Sequence, residues 1–328
     1  MNIKRQPLVS IILPTYNRAT LLPKAITSIL TQTHRHLELI VIDDNSIDNT
    51  QEIIHSFNDP RIQYYKNSTN LKLPRALNHG FSKAKGDYLT WTSDDNVFST
   101  EAIEKMLATL EESNKDFVYA DYFLFSDLDS KGQPLNPYQI NQSSELQLEK
   151  GNHIGACFMY SRKIYEYIGD YDPDLILVED YDYFIRIAKH FSFIHLPEPL
   201  YYFRRDDNTL YCSRYSEVKA SDVLVRFKYQ LITQQQALDI VTDLITISLI
   251  NNKKHGLSHL YHFANTFSYR LSQLILQIIH YKIRRQLRHS LFKTLDKYNN
   301  MQLNFQEART LLCTLLQHFG TIEYQPPS

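Results

Sequence analysis

Apolar runs that stop abruptly on polar residues alternate, in the first part of the chain, with segments whose apolar residues recur at three and four spacing. "LVSIILPTYN" (8–17) is a continuous apolar run closed by Pro14, the pattern of a strand buried on both faces, and "ATLLPKAITSILTQ" (19–32) then has helical spacing. "HLELIVIDDNS" (36–46) repeats the event: a β-branched strand ends on Asp43, Asp44, Asn45 and Ser46, and "NTQEIIHSF" follows as a helix with Asp48 or Asn49 as its cap. The alternation continues through a strand at 62–67, a helix at 73–86, the strand "DYLTWTS" (87–93) and a helix at 100–113 capped by Ser99 or Thr100. Such order predicts parallel strands joined by right-handed crossovers in an α/β layer. Residues 117–150 are less regular, with "VYADYFLF" as a strand and a polar loop after it. "VEDYDYFIRIAKHF" (178–191) reads as a helix with an acidic first turn, and "FIHLPEPLYYFRRDDN" (193–208) as a strand with a polar exit.

Beyond about residue 212 turn residues thin out and long helices are expected, which places a boundary between an α/β domain (1–212) and a helical C-terminal region (213–328). Within it, residues 269–292 set Leu271, Leu274, Ile275, Ile278 and Ile279 along one stripe, with Arg270, Lys282, Arg284, Arg285 and Arg288 around it.

Composition changes this picture little: 43% hydrophobic and 22% charged residues in 328 describe an ordinary globular protein. Charge is uneven. Residues 211–328 hold 14 Lys and Arg against 7 Asp and Glu, whereas the part before them holds 21 against 29. The basic helical region can be read as lying on an anionic membrane surface, as binding a partner, or as packing on the domain with its cations solvated. Nothing beyond that bias suggests nucleic acid. Cys157, Cys212 and Cys313 are odd in number and have no metal-type spacing, so no disulfide framework is expected and a reducing compartment is favoured. The chain opens on a strand-like segment rather than a signal peptide, and no run reaches the ~20 apolar residues of a membrane span. A cytoplasmic protein is expected, with attachment to the inner membrane face left open.

In α/β sheets ligands gather at the carboxyl ends of strands, and here three such ends are polar. Pro14, Thr15, Tyr16, Asn17 and Arg18 follow the first; Tyr16 offers a flat face for a base. Asp43 and Asp44 follow the second, where a carboxylate can accept from a ring imide N–H or, alternatively, cap the next helix. A calcium loop is ruled out because the central Gly and terminal Glu are missing. Asp94 and Asp95 follow the third, in "WTSDDN": adjacent carboxylates that a divalent cation would reconcile. Glu179, Asp180 and Asp182 form a third acidic cluster at a helix start, a place acids also occupy for dipole reasons alone.

"PTYNR", "IDDNS", "GDYLTWTSDDN" and "EDYDYFIR", in this order and at these separations, resemble family 2 glycosyltransferases over about residues 7–208. The resemblance implies a GT-A fold, Rossmann-like with a mixed central sheet, and an inverting transfer from a nucleoside diphosphate sugar, with a UDP sugar favoured. It implies that Tyr16 packs on the base, that Arg18 lies near the diphosphate, that Asp44 binds the base edge, and that Asp95 holds Mg²⁺ or Mn²⁺ with Asp94 near ribose and metal. Asp180 matches the catalytic base, with Glu179 and Asp182 as helix-terminal acids or acceptor ligands. Asn78, with Leu77 where an Arg often stands, gives a donor contact; Asn152 and His153 line an acceptor pocket; Arg204 and Arg205 can clamp the diphosphate. The motif departs from the common form: Thr92 and Ser93 precede the acid pair and Asn96 follows it. A glycan or lipid-linked acceptor is implied. Two other readings stay open: a catalytically silent nucleotide-sugar-binding module, and a metal-dependent nucleotidyltransferase, although "PTYNRATLL" lacks the Gly-rich phosphate loop of the latter.

Overall fold

The computed structural model describes residues 6–129, 133–251, 269–318 and 322. The chain divides into two compact units, Met1–Asp206 and Asp207–Ser328. The first is built from β1 (Val9–Thr15), α1 (Leu22–Leu30), β2 (Leu37–Asp43), α2 (Thr50–Ser56), β3 (Ile62–Lys66), α3 (Leu73–Lys83), β4 (Tyr88–Trp91), β5 (Val97–Phe98), α4 (Ala102–Ser113), β6 (Phe117–Phe125), β7 (Tyr138–Ile140), β8 (Phe158–Ser161), α5 (Arg162–Ile168), α6 (Glu179–Ala188) and β9 (Phe193–Arg204). One sheet runs β3-β2-β1-β4-β8-β6-β9-β5, with β7 paired to β6.

The first four strands in that order are parallel, as the alternation predicts. The rest of the sheet is mixed: β8 runs antiparallel to β4 and β6, β9 parallel to β6, and β5 antiparallel to β9. Every residue of β1 and β2 is buried, which is why both read as unbroken apolar runs. Leu22, Ala25, Ile26 and Ile29 of α1 pack into the same core at helical spacing. Gly80 lets α3 lie close on β1, since a Cβ there would fall 2.4 Å from Ile12 Cγ2.

Pro14 lies inside β1 rather than closing it. Pairing with β4 ends at Ile12↔Trp91 while pairing with β2 continues to Thr15↔Asp43. Ile12 O accepts from Thr92 N and Thr15 O from Asp44 N, so Pro14's missing donor faces the side where β4 has already turned away. The start of α4 also differs from expectation. Glu101 holds the cap position without a side-chain bond, and Ser99 contributes only its carbonyl, to Ala102 N at 3.0 Å. Asp48 Oδ1 does take Thr50 N at 3.2 Å at the start of α2.

The second unit is helical: Leu210–Ser213, Tyr215–Lys228, Gln234–Asn251, Tyr269–Asn299 and Phe305–Gln317. Asn304 and Glu307 close a reciprocal capping box on the last of these. The apolar stripe expected on Tyr269–Asn299 splits. Ile279, Ile283, Leu287, Leu291 and Leu295 are buried at a spacing of four, whereas Leu274 and Ile278 are 53% and 47% exposed. Ile278 precedes Ile279 of that line by one residue, which turns it about 100° away from it. The side chains of Arg270 and Leu271 lie outside the described residues. Cys157, Cys212 and Cys313 are free thiols, and among the described residues no helix is long and apolar enough to cross a membrane.

Candidate active site

The carboxyl ends of β1 and β2 are laced together. Asn17, at φ 52°, donates its N–H to Ser46 Oγ at 2.9 Å and accepts Ile47 N on Oδ1 at 2.8 Å, and Ala19 N reaches Asp48 Oδ2 at 3.0 Å. Between them Tyr16 is left 45% exposed at a strand end, free to stack against a planar ligand. Asp43 is fully buried and structural: Oδ1 accepts Ser46 N at 2.7 Å and Oδ2 accepts Tyr64 OH at 2.8 Å. Asp44 is also buried, with Oδ1 taking Asn67 Nδ2 and Leu71 N, both at 2.8 Å, and Oδ2 taking Lys72 N at 2.9 Å. A carboxylate has about four acceptor positions. Asp44 therefore keeps room for one further donor, on Oδ2.

At the end of β4, Asp94 is 8% exposed and accepts Thr15 Oγ1 at 2.7 Å. Burial, and next the charge of Asp95, push its carboxyl up to about 7. Asp95 is also raised by burial, opposed by Arg18, whose NH1 lies 3.3 Å from Asp95 Oδ2. The charges of Arg204 and Asp206 also reach Asp95. Arg204 is itself fixed: its N donates to Asn96 Oδ1 at 2.8 Å and its Nε to Asp206 Oδ2 at 2.6 Å. Asn96, where an acid often stands, thus anchors β9 to the acid pair. Arg205 turns over the ring of Phe203, with its guanidinium carbon 4.8 Å from the ring centroid. Two adjacent carboxylates, both raised by burial and Asp94 also by the charge of Asp95, fit a divalent cation, because a cation offsets both causes. Among the described residues no cluster of three or more His, Cys, Asp or Glu forms a metal site. Two carboxylates suffice for Mg²⁺ or Mn²⁺ when phosphates and water complete the shell.

The third group sits at the start of α6. Leu177 adopts φ 83°, a strained conformation for a residue with a Cβ. Its N–H donates to Glu179 Oε2 at 2.8 Å. Glu179 is 5% exposed, and burial, then Asp180's charge, push it up to about 8. Asp180 is partly exposed and also raised by burial, to about 6, while bonds from Tyr181 N at 2.7 Å and Asn152 Nδ2 at 3.0 Å favour its ionised form. Asp180 is the carboxylate of this group that keeps an open side. Asp182 is fully buried and bound to Arg186 Nε at 2.9 Å, so its charge is used within α6.

The remaining expected residues fall into two sets. The loop of Asn152 and His153 does meet Asp180, through Asn152. Asn78 instead clasps the Tyr171 backbone, Nδ2 to O at 2.9 Å and Oδ1 from N at 2.8 Å. Sequence reasoning missed Asn67, which holds Asp44, and Asp206, which holds Arg204. Asp206 stands in "YYFRRDDN", two residues past the arginine it holds.

The model of the family described as Glycosyl transferase family 2 matches residues 10–169. WcaA of Escherichia coli (strain K12), whose name connects it to colanic acid biosynthesis, is 31% identical over 195 residues, which cover 58% of this chain and 69% of that protein. The chain belongs to glycosyltransferase family 2. An uncharacterized glycosyltransferase of Rickettsia felis is 33% identical over 195 residues, which cover 56% of this chain and 32% of that protein, and RT0329 of Rickettsia typhi is 33% identical over 193 residues, 56% and 59%. The chain thus spans about a third of the first of these relatives and under two thirds of the second. Among solved structures, S. aureus TarS 1–349 in complex with UDP-GlcNAc matches with a TM-score of 0.55 at 16% identity, over 89% of this chain and 91% of that one. The mannosyltransferase PcManGT from Pyrobaculum calidifontis, in complex with GDP-Man and Mn²⁺, matches at 0.55 and 15% identity, over 94% and 87%. These likenesses show the fold, which is GT-A-like.

Proposed function

We propose that this family 2 glycosyltransferase moves a sugar from a nucleoside diphosphate sugar to an acceptor hydroxyl, with inversion at the anomeric carbon. The observation that carries the reading is Asp180: a partly exposed carboxylate held by Asn152 Nδ2 at 3.0 Å, with its proton affinity raised by burial, the direction that suits a base. Such a group suits a general base for a hydroxyl. The acceptor oxygen attacks the anomeric carbon and its proton passes to Asp180. The bond from that carbon to the diphosphate breaks, and the electron pair leaves with the phosphate. Tyr16 supports the base by stacking, Asp44 binds its edge through the open position on Oδ2, and Arg18 orients the diphosphate. Asp95 and Asp94 would hold Mg²⁺ or Mn²⁺, which when bound supplies positive charge to the leaving group. That TarS was solved with UDP-GlcNAc and PcManGT with GDP-Man supports testing both nucleotides, with UDP sugars first. A glycan or lipid-linked glycan of a surface polysaccharide, handled in the cytoplasm, is the acceptor class this reading favours.

The test is release of free nucleoside diphosphate from a panel of UDP and GDP sugars with Mn²⁺, with and without acceptors. Turnover that Asp180→Asn lowers at least about 100-fold, while donor binding persists, is the expected result. Turnover unchanged in Asp180→Asn removes Asp180 as the base.

A further inference from the structure

Residues 244–295 contain eight Lys and Arg and no Asp or Glu. Within them the helix Tyr269–Asn299 turns its four-spaced line of Ile and Leu inward. On its other side, at about 100° per residue, Leu274, Ile278, Tyr281, Arg285 and Arg288 fall within about 80° of one another, and all five are exposed. The helix Gln234–Asn251 runs antiparallel beside it: Asp239 pairs with Arg284, and Asp243 Oδ1 with His280 Nε2 at 2.8 Å. One further step of four sets Ile247, 57% exposed, beside the Leu274–Ile278 turn. Four exposed apolar side chains, Ile247, Leu274, Ile278 and Tyr281, therefore share one end of this face. Exposed Lys282, Arg285 and Arg288 share the other, and none of the three has an acidic partner among the described residues. Arg288 lies over Phe292, its guanidinium carbon 5.4 Å from the ring centroid. Past it the face runs into a cleft of about 330 Å³, lined in part by Phe292, Lys293, Lys297 and Asp296, whose carboxylate accepts from Gln234 Nε2.

We propose that this face of the helical unit docks on an anionic lipid bilayer. Apolar side chains scattered singly over a surface are normal, but a contiguous group rimmed by cations marks a contact surface. In an interfacial helix the apolar side chains enter the headgroup boundary, while the stems of Lys and Arg bend to carry their charges to the phosphates. Tyr281 stands where the apolar and basic groups meet, and its ring with a polar tip suits that boundary. Charge selects the occupant. The acids nearest the face, Asp239 and Asp243, are taken up by Arg284 and His280, so the remaining cations are left to an external anion. A second copy docking through the same face would bring its own cations to these, and residues 244–295 hold no acid to meet them. Bilayer contact of this kind would hold the chain where a lipid-linked acceptor is presented, and it does not depend on the transfer chemistry.

The test is flotation of the full chain with vesicles of equimolar phosphatidylglycerol and phosphatidylcholine, and with vesicles of phosphatidylcholine alone, at low and high salt and without donor or acceptor. Binding to the anionic vesicles that salt weakens, with little to the neutral ones, is the expected result. Each cation near the surface contributes roughly fivefold, so the triple variant Lys282→Gln, Arg285→Gln, Arg288→Gln should bind about 100-fold more weakly. Leu274→Ser with Ile278→Ser should weaken binding at least about 10-fold. These positions are exposed, so the melting temperature should stay that of the wild type, and Arg285→Glu, a single surface change, should by itself weaken binding about 10-fold or more. Wild-type protein that ignores anionic vesicles, that binds neutral ones equally well, or whose binding survives both the triple variant and Arg285→Glu overturns the assignment. Loss in the triple variant alone, with the serine variant binding as wild type does, makes the contact purely electrostatic and overturns the seating of the apolar side chains. A wild-type dimer that ignores vesicles and that the serine variant disperses makes the face an interface between copies, which overturns it too. No donor is present, so each of these outcomes leaves the glycosyltransferase reading untouched.

Discussion

Glu179→Gln should make the protein less stable than wild type at pH 5 and more stable at pH 9. In the fold Glu179 is raised from 4.5 to about 8, first by burial and then by Asp180's charge. Below 4.5 the carboxyl is protonated in both folded and unfolded chains. Between 4.5 and about 8 the unfolded chain releases a proton that the folded chain keeps, so stability falls as pH rises; above about 8 the loss levels off. At about 1.4 kcal/mol for each pH unit, the full span sets an upper limit of about 5 kcal/mol for the ionised Glu179 penalty. Gln removes that penalty but brings a buried amide NH₂ where the protonated acid had a hydroxyl, at roughly 1 to 3 kcal/mol if it finds no partner. Its carbonyl can still accept Leu177 N. The net is a small deficit at pH 5 that reverses to a gain of about 2 kcal/mol or more at pH 9. Urea denaturation followed by the fluorescence of Trp91, the one tryptophan of the chain, reads this directly in the first unit, where its ring meets Phe158 edge-on. A stability difference between variant and wild type that stays constant from pH 5 to pH 9 would refute the buried, protonated Glu179.

Asn152→Ala removes a donor that favours ionised Asp180, so the acid limb of kcat/KM should move to higher pH while the alkaline side stays in place; a limb that does not move separates Asp180 from the rate. Arg186→Met takes the Nε donor from the fully buried Asp182 carboxylate and should cost about 3 to 5 kcal/mol in urea denaturation, whereas Asp182→Asn combined with Arg186→Met should recover much of that loss. Chelation by EDTA, or Asp95→Ala, should lower nucleotide release at least about 100-fold, and full activity in EDTA would take the divalent ion out of the reaction.

Local pattern reveals those parts of this fold whose cause is local. β1 and β2 are buried on both faces, and their unbroken apolar runs say so. The insertion of β8 between β4 and β6 depends on partners distant in sequence, and nothing in "FMYS" encodes which strands flank it or in which direction. The same limit applies to the site. Four motifs, three of them acidic, are visible in order, but the clasp of Asn78 on Tyr171, the hold of Asn67 on Asp44 and the strain at Leu177 are properties of assembled loops.

The acidic doublets show how that assembly divides labour between neighbours. Each doublet puts two carboxylates side by side at the end of a strand or the start of a helix, where consecutive side chains diverge sharply in direction. One member turns inward and is bound by the protein: Asp43 by Ser46 and Tyr64, Asp94 by Thr15, Glu179 by the Leu177 amide. The other member keeps an acceptor position toward solvent or a neighbouring cation: Asp44 on Oδ2, Asp95 toward Arg18, Asp180 on its exposed side. The inward acid fixes the turn and, for Asp95 and its neighbour Asp94 as for Asp180 and Glu179, sits beside the second carboxylate in a site that has already raised the proton affinity of both. Replacing the inward acid should therefore be felt first in stability and its pH dependence, and replacing the outward acid first in donor binding or turnover.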